Sequence, residues 1–107
     1  MKLIFAIVSN DDATNVQTGL TSAGYSVTRL STAGGFLRAG NTTFLCGTDA
    51  DKVDKAIEII KENSRSRNQK VPTDASYGVG MYAGYPLEVS VGGATIFVTD
   101  VERYEKV

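Results

Sequence analysis

The chain opens on KLIFAIV, a continuous apolar run rich in Ile, which reads as a strand buried on both faces. The polarity then changes to a helical period. In SNDDATNVQTGLTSAGY, Ala13, Val16, Leu20 and Ala23 recur on one face. Ser9 or Asn10 is suited to cap that helix, Asp11 and Asp12 sit near its positive end, and Gly24 is placed for the left-handed residue that ends it. YSVTRLSTA and TTFLCGT alternate in polarity and are rich in β-branched and aromatic residues, so two strands are expected, joined by a glycine loop. A second helix can start at Thr48, Asp49 or Asp51. It carries the stripe Val53, Ala56, Ile57 and Ile60, with Asp51 and Lys55 paired on its outer face. From 63 to 85 the periodicity disappears. PLEVSV, GG and ATIFVTDV then read as a hairpin whose two glycines suit a primed turn. The charged tail ERYEKV is expected to be ordered only by contacts elsewhere.

This order is β-α-β-β-α-β with an extra C-terminal strand: an α+β, ferredoxin-like domain with two helices on one face of an antiparallel sheet. The other face still needs covering, and a small domain often covers it by oligomerising. At 107 residues the chain is one domain.

Composition removes several function classes. There is no histidine and only one cysteine, Cys46, so His-ligated zinc, His general bases and Cys–His pairs are excluded. A lone cysteine makes no internal disulfide and fits a reducing cytoplasm; alternating with Phe44, it reads as a packing residue. The net charge of -1 provides no field for nucleic acid or for an acidic membrane. The apolar runs are too short to span a bilayer, and MKLIFAIVSN reads as a first strand rather than a signal peptide. Arg65, Arg67 and Lys70 read as a solvated helix end. Tyr77, Tyr82 and Tyr85 read as loop anchors.

The glycine loop GGFLRAGN raises a chemical question, because it sets Phe36 and Leu37 where turns are usually small and polar. Gly35 and Gly40 have Walker A spacing, but Asn41 stands in place of the lysine and a strand follows instead of a helix, so a P-loop is excluded. Two readings stay open on the residues alone. The loop is a long hairpin turn that packs Phe36 and Leu37 onto its own domain or a neighbour. Alternatively it grips a nucleobase: Phe36 offers a stacking face, Asn41 a donor and an acceptor, Arg38 a charge for phosphate, and the glycines a close backbone approach.

TAGGFLRAGNTTFLCG, together with PLEVSVGGATIFV, resembles the PII-like cyclic di-AMP receptor family, and the resemblance covers essentially the whole chain. It implies a PII-like homotrimer, a non-catalytic cytoplasmic signal-transduction receptor with no cofactor, which binds cyclic di-AMP at subunit interfaces. Residues 34–41 correspond to a short T-loop and residues 63–85 to a long, flexible B-loop that reorders on binding and faces a downstream protein partner. The resemblance assigns Phe36 to stacking, with Gly35 and Leu37 in the same pocket. Asn41 and the backbone at Gly47 read adenine, and Thr28 contacts the ribose–phosphate ring. Gly92 and Gly93 approach the cleft, and Ser26 points to the same face as Thr28, where some relatives carry a longer basic side chain. The ATP loop of true PII proteins is missing. Neither nucleic acid nor membrane is an expected partner. Two competing functions are a magnesium-dependent nucleotide-processing enzyme and a structural trimer without ligand. Asp49, Asp51 and Asp54 crowd the start of the second helix and read as carboxylates favoured by its dipole, with a magnesium site as the alternative, and no metal is expected.

Overall fold

The computed structural model describes residues 1–30, 40–72 and 86–107. Strand β1 (Lys2–Ser9) leads into helix α1 (Asn10–Ser22), and strands β2 (Val27–Leu30) and β3 (Asn41–Thr48) follow. A short 3-10 turn (Ala50–Lys52) precedes α2 (Val53–Ser64), and the chain ends with β4 (Arg67–Pro72), β5 (Pro86–Val91) and β6 (Ala94–Asp100). Four strands form an antiparallel sheet in the order β2-β3-β1-β6, the ferredoxin-like arrangement. β4 and β5 form a separate two-stranded ribbon.

Local chemistry accounts for the helix boundaries. The Ser9 hydroxyl accepts from the Asp11 N–H and caps α1. Gly24 follows the helix at φ 94°, as expected of the left-handed residue. α1 buries Ala13, Val16 and Leu20, while Ala23 is the exposed end residue instead of a core position. α2 buries Ala56 and Ile60, and both helices close over Ile4, Ala6, Val8, Phe44 and Cys46. Gly19 lets the helices approach closely: a Cβ there would stand 3.0 Å from Ile59 Cγ2 and Asn63 Nδ2.

Three expectations are corrected. β1 is buried on one face only; Leu3, Phe5 and Ile7 alternate with the core residues and stay partly accessible. The continuous apolar run therefore reports a second face that the other described elements leave partly accessible. PLEVSV and ATIFVTDV are not a paired hairpin: β5 pairs with β4, Arg67 opposite Val91, whereas β6 pairs with β1, Val8 opposite Ala94. Gly92 and Gly93, at φ 81° and 84°, hand the chain from the ribbon to the sheet. The additional strands are thus inserted before the last sheet strand instead of being appended after it. The aperiodic stretch 63–85 begins in regular structure, since Asn63 and Ser64 finish α2 and Arg67–Pro72 is β4, and its residues 73–85 lie outside the described residues. Pro72 faces Pro86, and neither offers an N–H to carry the ladder further.

Candidate functional site

Strand alternation sorts the expected site residues. With Ile4, Ala6, Phe44 and Cys46 facing the helices, the opposite face carries Leu3, Phe5 and Ile7 of β1, Asn41, Thr43, Leu45 and Gly47 of β3, and Thr28 and Leu30 of β2. One row of this open face runs Thr28, Leu45, Phe5, Phe97 across all four strands. Phe97 is 58% exposed, and apolar residues dominate the row.

Ser26, Thr28 and Gly47 come together at one end of the face. They line a cavity of about 410 Å³ floored by Leu3 and Leu45 and bordered by Tyr104. A second cavity of about 380 Å³ also touches Ser26 and Gly47 and continues past Tyr25 to Lys52 and Lys55. The Tyr25 hydroxyl donates to the Lys52 carbonyl at 2.7 Å, which fixes the turn before α2. Burial pushes the Tyr25 phenol up from its ordinary value, with smaller contributions from Cys46 and Asp51. Gly47 is exposed, and a Cβ there would meet only Met1 Sδ at 3.8 Å, so packing does not demand glycine. What its bareness does provide is an open backbone at the rim shared by both cavities.

Asn41 lies at the other end. It opens β3 opposite Ser9, six residues before Gly47. At about 3.4 Å per residue, the two positions in one protomer are separated by about 20 Å. One adenine therefore cannot meet Asn41 and Gly47 of the same chain. The segment leading to Asn41 is fastened at its exit: the Asn10 N–H donates to the Gly40 carbonyl at 2.9 Å, and the Thr42 hydroxyl donates to Asn10 Oδ1 at 2.5 Å. Gly35, Phe36 and Leu37, the core of the expected T-loop, lie outside the described residues, as do Tyr77, Tyr82 and Tyr85.

Gly92 and Gly93 sit at the Asn41 end of the sheet, beside the base of the ribbon. A Cβ on Gly92 would fall 2.6 Å from both the Arg65 carbonyl and Arg67 Nη1, and Gly93 lines a different cavity with Lys61, Ser64 and Arg65. Within one protomer they do not join Ser26, Thr28 and Gly47.

Reasoning from the sequence missed Tyr104, Lys52 and Lys55 at these cavities. The lysines belong to a helix start whose charges looked like ordinary surface, and Tyr104 lies in a tail dominated by charge. Among the described residues, no group of three acidic or Cys side chains is arranged to hold a metal ion. No described helix is long and apolar enough to cross a membrane.

The described residues thus form a small antiparallel α+β domain with an apolar open face and polar, glycine-rimmed cavities at its edge. The cyclic-di-AMP receptor family model matches residues 1–107, and the chain belongs to that family. It is also similar to a crystal structure described as a functionally unknown protein from Pediococcus pentosaceus ATCC 25745. The two share 37% sequence identity over 99% of this chain and 96% of that one, with a TM-score of 0.75.

Proposed function

We propose that the protein is a non-catalytic receptor for cyclic di-AMP that forms a homotrimer and holds each ligand between adjacent protomers. The observation that carries this reading is the separation of the half-sites: Asn41 at one end of the open face, Ser26, Thr28 and Gly47 at the other. A head-to-tail interface brings unlike ends of two copies together, and a rotation that closes makes a ring in which every seam is complete. The apolar row Leu45, Phe5, Phe97 gives such an association its hydrophobic surface.

At each seam the Asn41 carboxamide of one protomer reads an adenine edge, with Gly35, Phe36 and Leu37 in the same half-site. The Thr28 hydroxyl and the Gly47 backbone of the next protomer hold the ribose–phosphate ring and the second purine. Lys52 and Lys55 add positive charge beside the phosphodiester groups. The serine at position 26 is a shorter contact than the basic residue some relatives carry. Ligand binding then shifts the 34–41 and 63–85 loops between arrangements, and the differential affinity for those arrangements is what a cytoplasmic protein partner senses.

Calorimetric titration with cyclic di-AMP, cyclic di-GMP and ATP, alongside light scattering for mass, tests the reading. It predicts saturable heat with cyclic di-AMP alone, one ligand per chain, and a trimer mass. Absence of heat with cyclic di-AMP contradicts it. Asn41→Ala weakens binding by about 1–3 kcal/mol through loss of its base-edge hydrogen bonds.

A further inference from the structure

The C-terminal segment takes part in the cavity at the Gly47 end. Val101 prolongs the β1–β6 pairing, its N–H donating to the Met1 carbonyl at 3.1 Å. Lys2 and Asp100 form an ion pair at the same end of the two strands. Past this anchor the segment leaves the ladder. Arg103 and Glu105 pair with each other at 3.0 Å, both largely exposed. Tyr104 between them is 62% exposed and borders the cavity that contains Ser26, Thr28 and Gly47. β6 and β2 are opposite edges of the sheet, so this ring reaches residues from the far side of the fold.

The surroundings suit one class of occupant. Leu3 and Leu45 give the lining apolar surface, two hydroxyls and an open glycine backbone offer hydrogen bonds, and Tyr104 adds an aromatic ring. An apolar floor, a stacking face and polar edge groups are what a flat heteroaromatic ring with a polar perimeter requires. A cyclic dinucleotide presents two such rings.

We infer that Tyr104 is a ligand-binding residue and that the C-terminal segment is the wall that closes the Gly47 half-site over the second nucleobase. The inference rests on the cyclic di-AMP reading above. It makes the tail part of the binding machinery, and it predicts that binding tightens the attachment of residues 101–107.

Calorimetry on the full chain compares the unmodified protein with Tyr104→Ala and Tyr104→Phe. Tyr104→Ala is expected to bind cyclic di-AMP at least about tenfold more weakly, about 1.4 kcal/mol, with the assembly mass unchanged. Tyr104→Phe, which keeps the ring face, stays within about threefold, a difference under about 1 kcal/mol. The chain contains no tryptophan, so Tyr104→Trp installs a sole reporter. Its emission is expected to change saturably with cyclic di-AMP, at the midpoint measured by calorimetry. Unchanged affinity of Tyr104→Ala overturns the inference, as does an unchanged Tyr104→Trp emission at saturation. A Tyr104→Ala protein that falls to single-chain mass also overturns it, since the ring is then an assembly contact. If the unmodified protein itself gives no heat, the ligand assignment is what fails, and the inference falls with it.

Discussion

The Asp12 carboxylate accepts both terminal nitrogens of the Arg67 guanidinium, Oδ1 from Nη2 at 3.1 Å and Oδ2 from Nη1 at 3.4 Å. The pair joins the first turn of α1 to the first residue of β4, and Asp12 is buried while Arg67 is half exposed. Two residues earlier, Asn10 secures Gly40 and Thr42. One helical turn thus fastens both the exit of the glycine loop and the base of the ribbon. That turn is a physical link between the two segments expected to respond to ligand.

Removing Arg67 strands a buried carboxylate. Arg67→Met is expected to cost about 1–3 kcal/mol of stability, less than for a fully enclosed pair because water reaches one side. Asp12→Asn, which leaves the unpaired charge on the half-exposed Arg67 instead of in the interior, costs less. Urea unfolding at one fixed protein concentration measures both, because the stability of an assembly depends on concentration. Equal midpoints for Arg67→Met and the unmodified protein contradict the structural role.

Two glycines separate folding from binding. Gly92 has φ 81° and no space for a Cβ, so Gly92→Ala lowers stability by about 1–3 kcal/mol. Gly47 has room for a Cβ, so Gly47→Leu keeps its unfolding free energy within about 0.5 kcal/mol while its side chain fills the rim of the cavity and removes ligand binding. Retained affinity in Gly47→Leu places the ligand elsewhere.

The pH dependence has a definite sign. Burial pushes the Cys46 thiol up, so the folded chain keeps this proton to higher pH than the unfolded chain does. The associated stability is complete below the unfolded thiol value, about 8.5, and is lost as pH rises through the folded value. Tyr25 acts in the same direction, with its loss beginning above about 10. Asp100 acts oppositely. Its hydrogen bond and ion pair with Lys2 hold its carboxyl below the usual range, and that stabilisation is lost as pH falls through the folded value. Urea midpoints are expected to decline from pH 8 to 10, with a smaller decline in Cys46→Ala. Identical slopes contradict the thiol's contribution.

Much of the fold was legible because its signals are local and redundant. The α1 stripe, its Ser9 cap and Gly24 each pointed to one helix, and the alternation in TTFLCGT set β3. The ribbon strand β4 was not legible: Arg-Asn-Gln-Lys-Val-Pro shows no alternation of apolar and polar residues. The same hidden strand explains the misread hairpin, since β5 without a visible partner looked paired with β6. At the site, Asn41 and Phe36 could be singled out by their chemistry, whereas Thr28, Gly47 and Ser26 were reached through family resemblance. Their distance from Asn41 is a property of strand length and register. Tyr104 was hidden by its charged neighbours, because only the turn after Val101 sets it beside β2 and β3.

Complementation between two defective proteins tests the shared site most directly. Asn41→Ala spoils one end of the open face and Gly47→Leu the other, so each variant alone spoils every seam. In a mixed ring, one seam joins the intact Asn41 of a Gly47→Leu chain to the intact Gly47 of an Asn41→Ala chain. Co-refolded at equal amounts and titrated with cyclic di-AMP, the mixture is expected to regain unmodified affinity at about one site in four. A mixture that binds no better than its separate components contradicts a site built from two protomers.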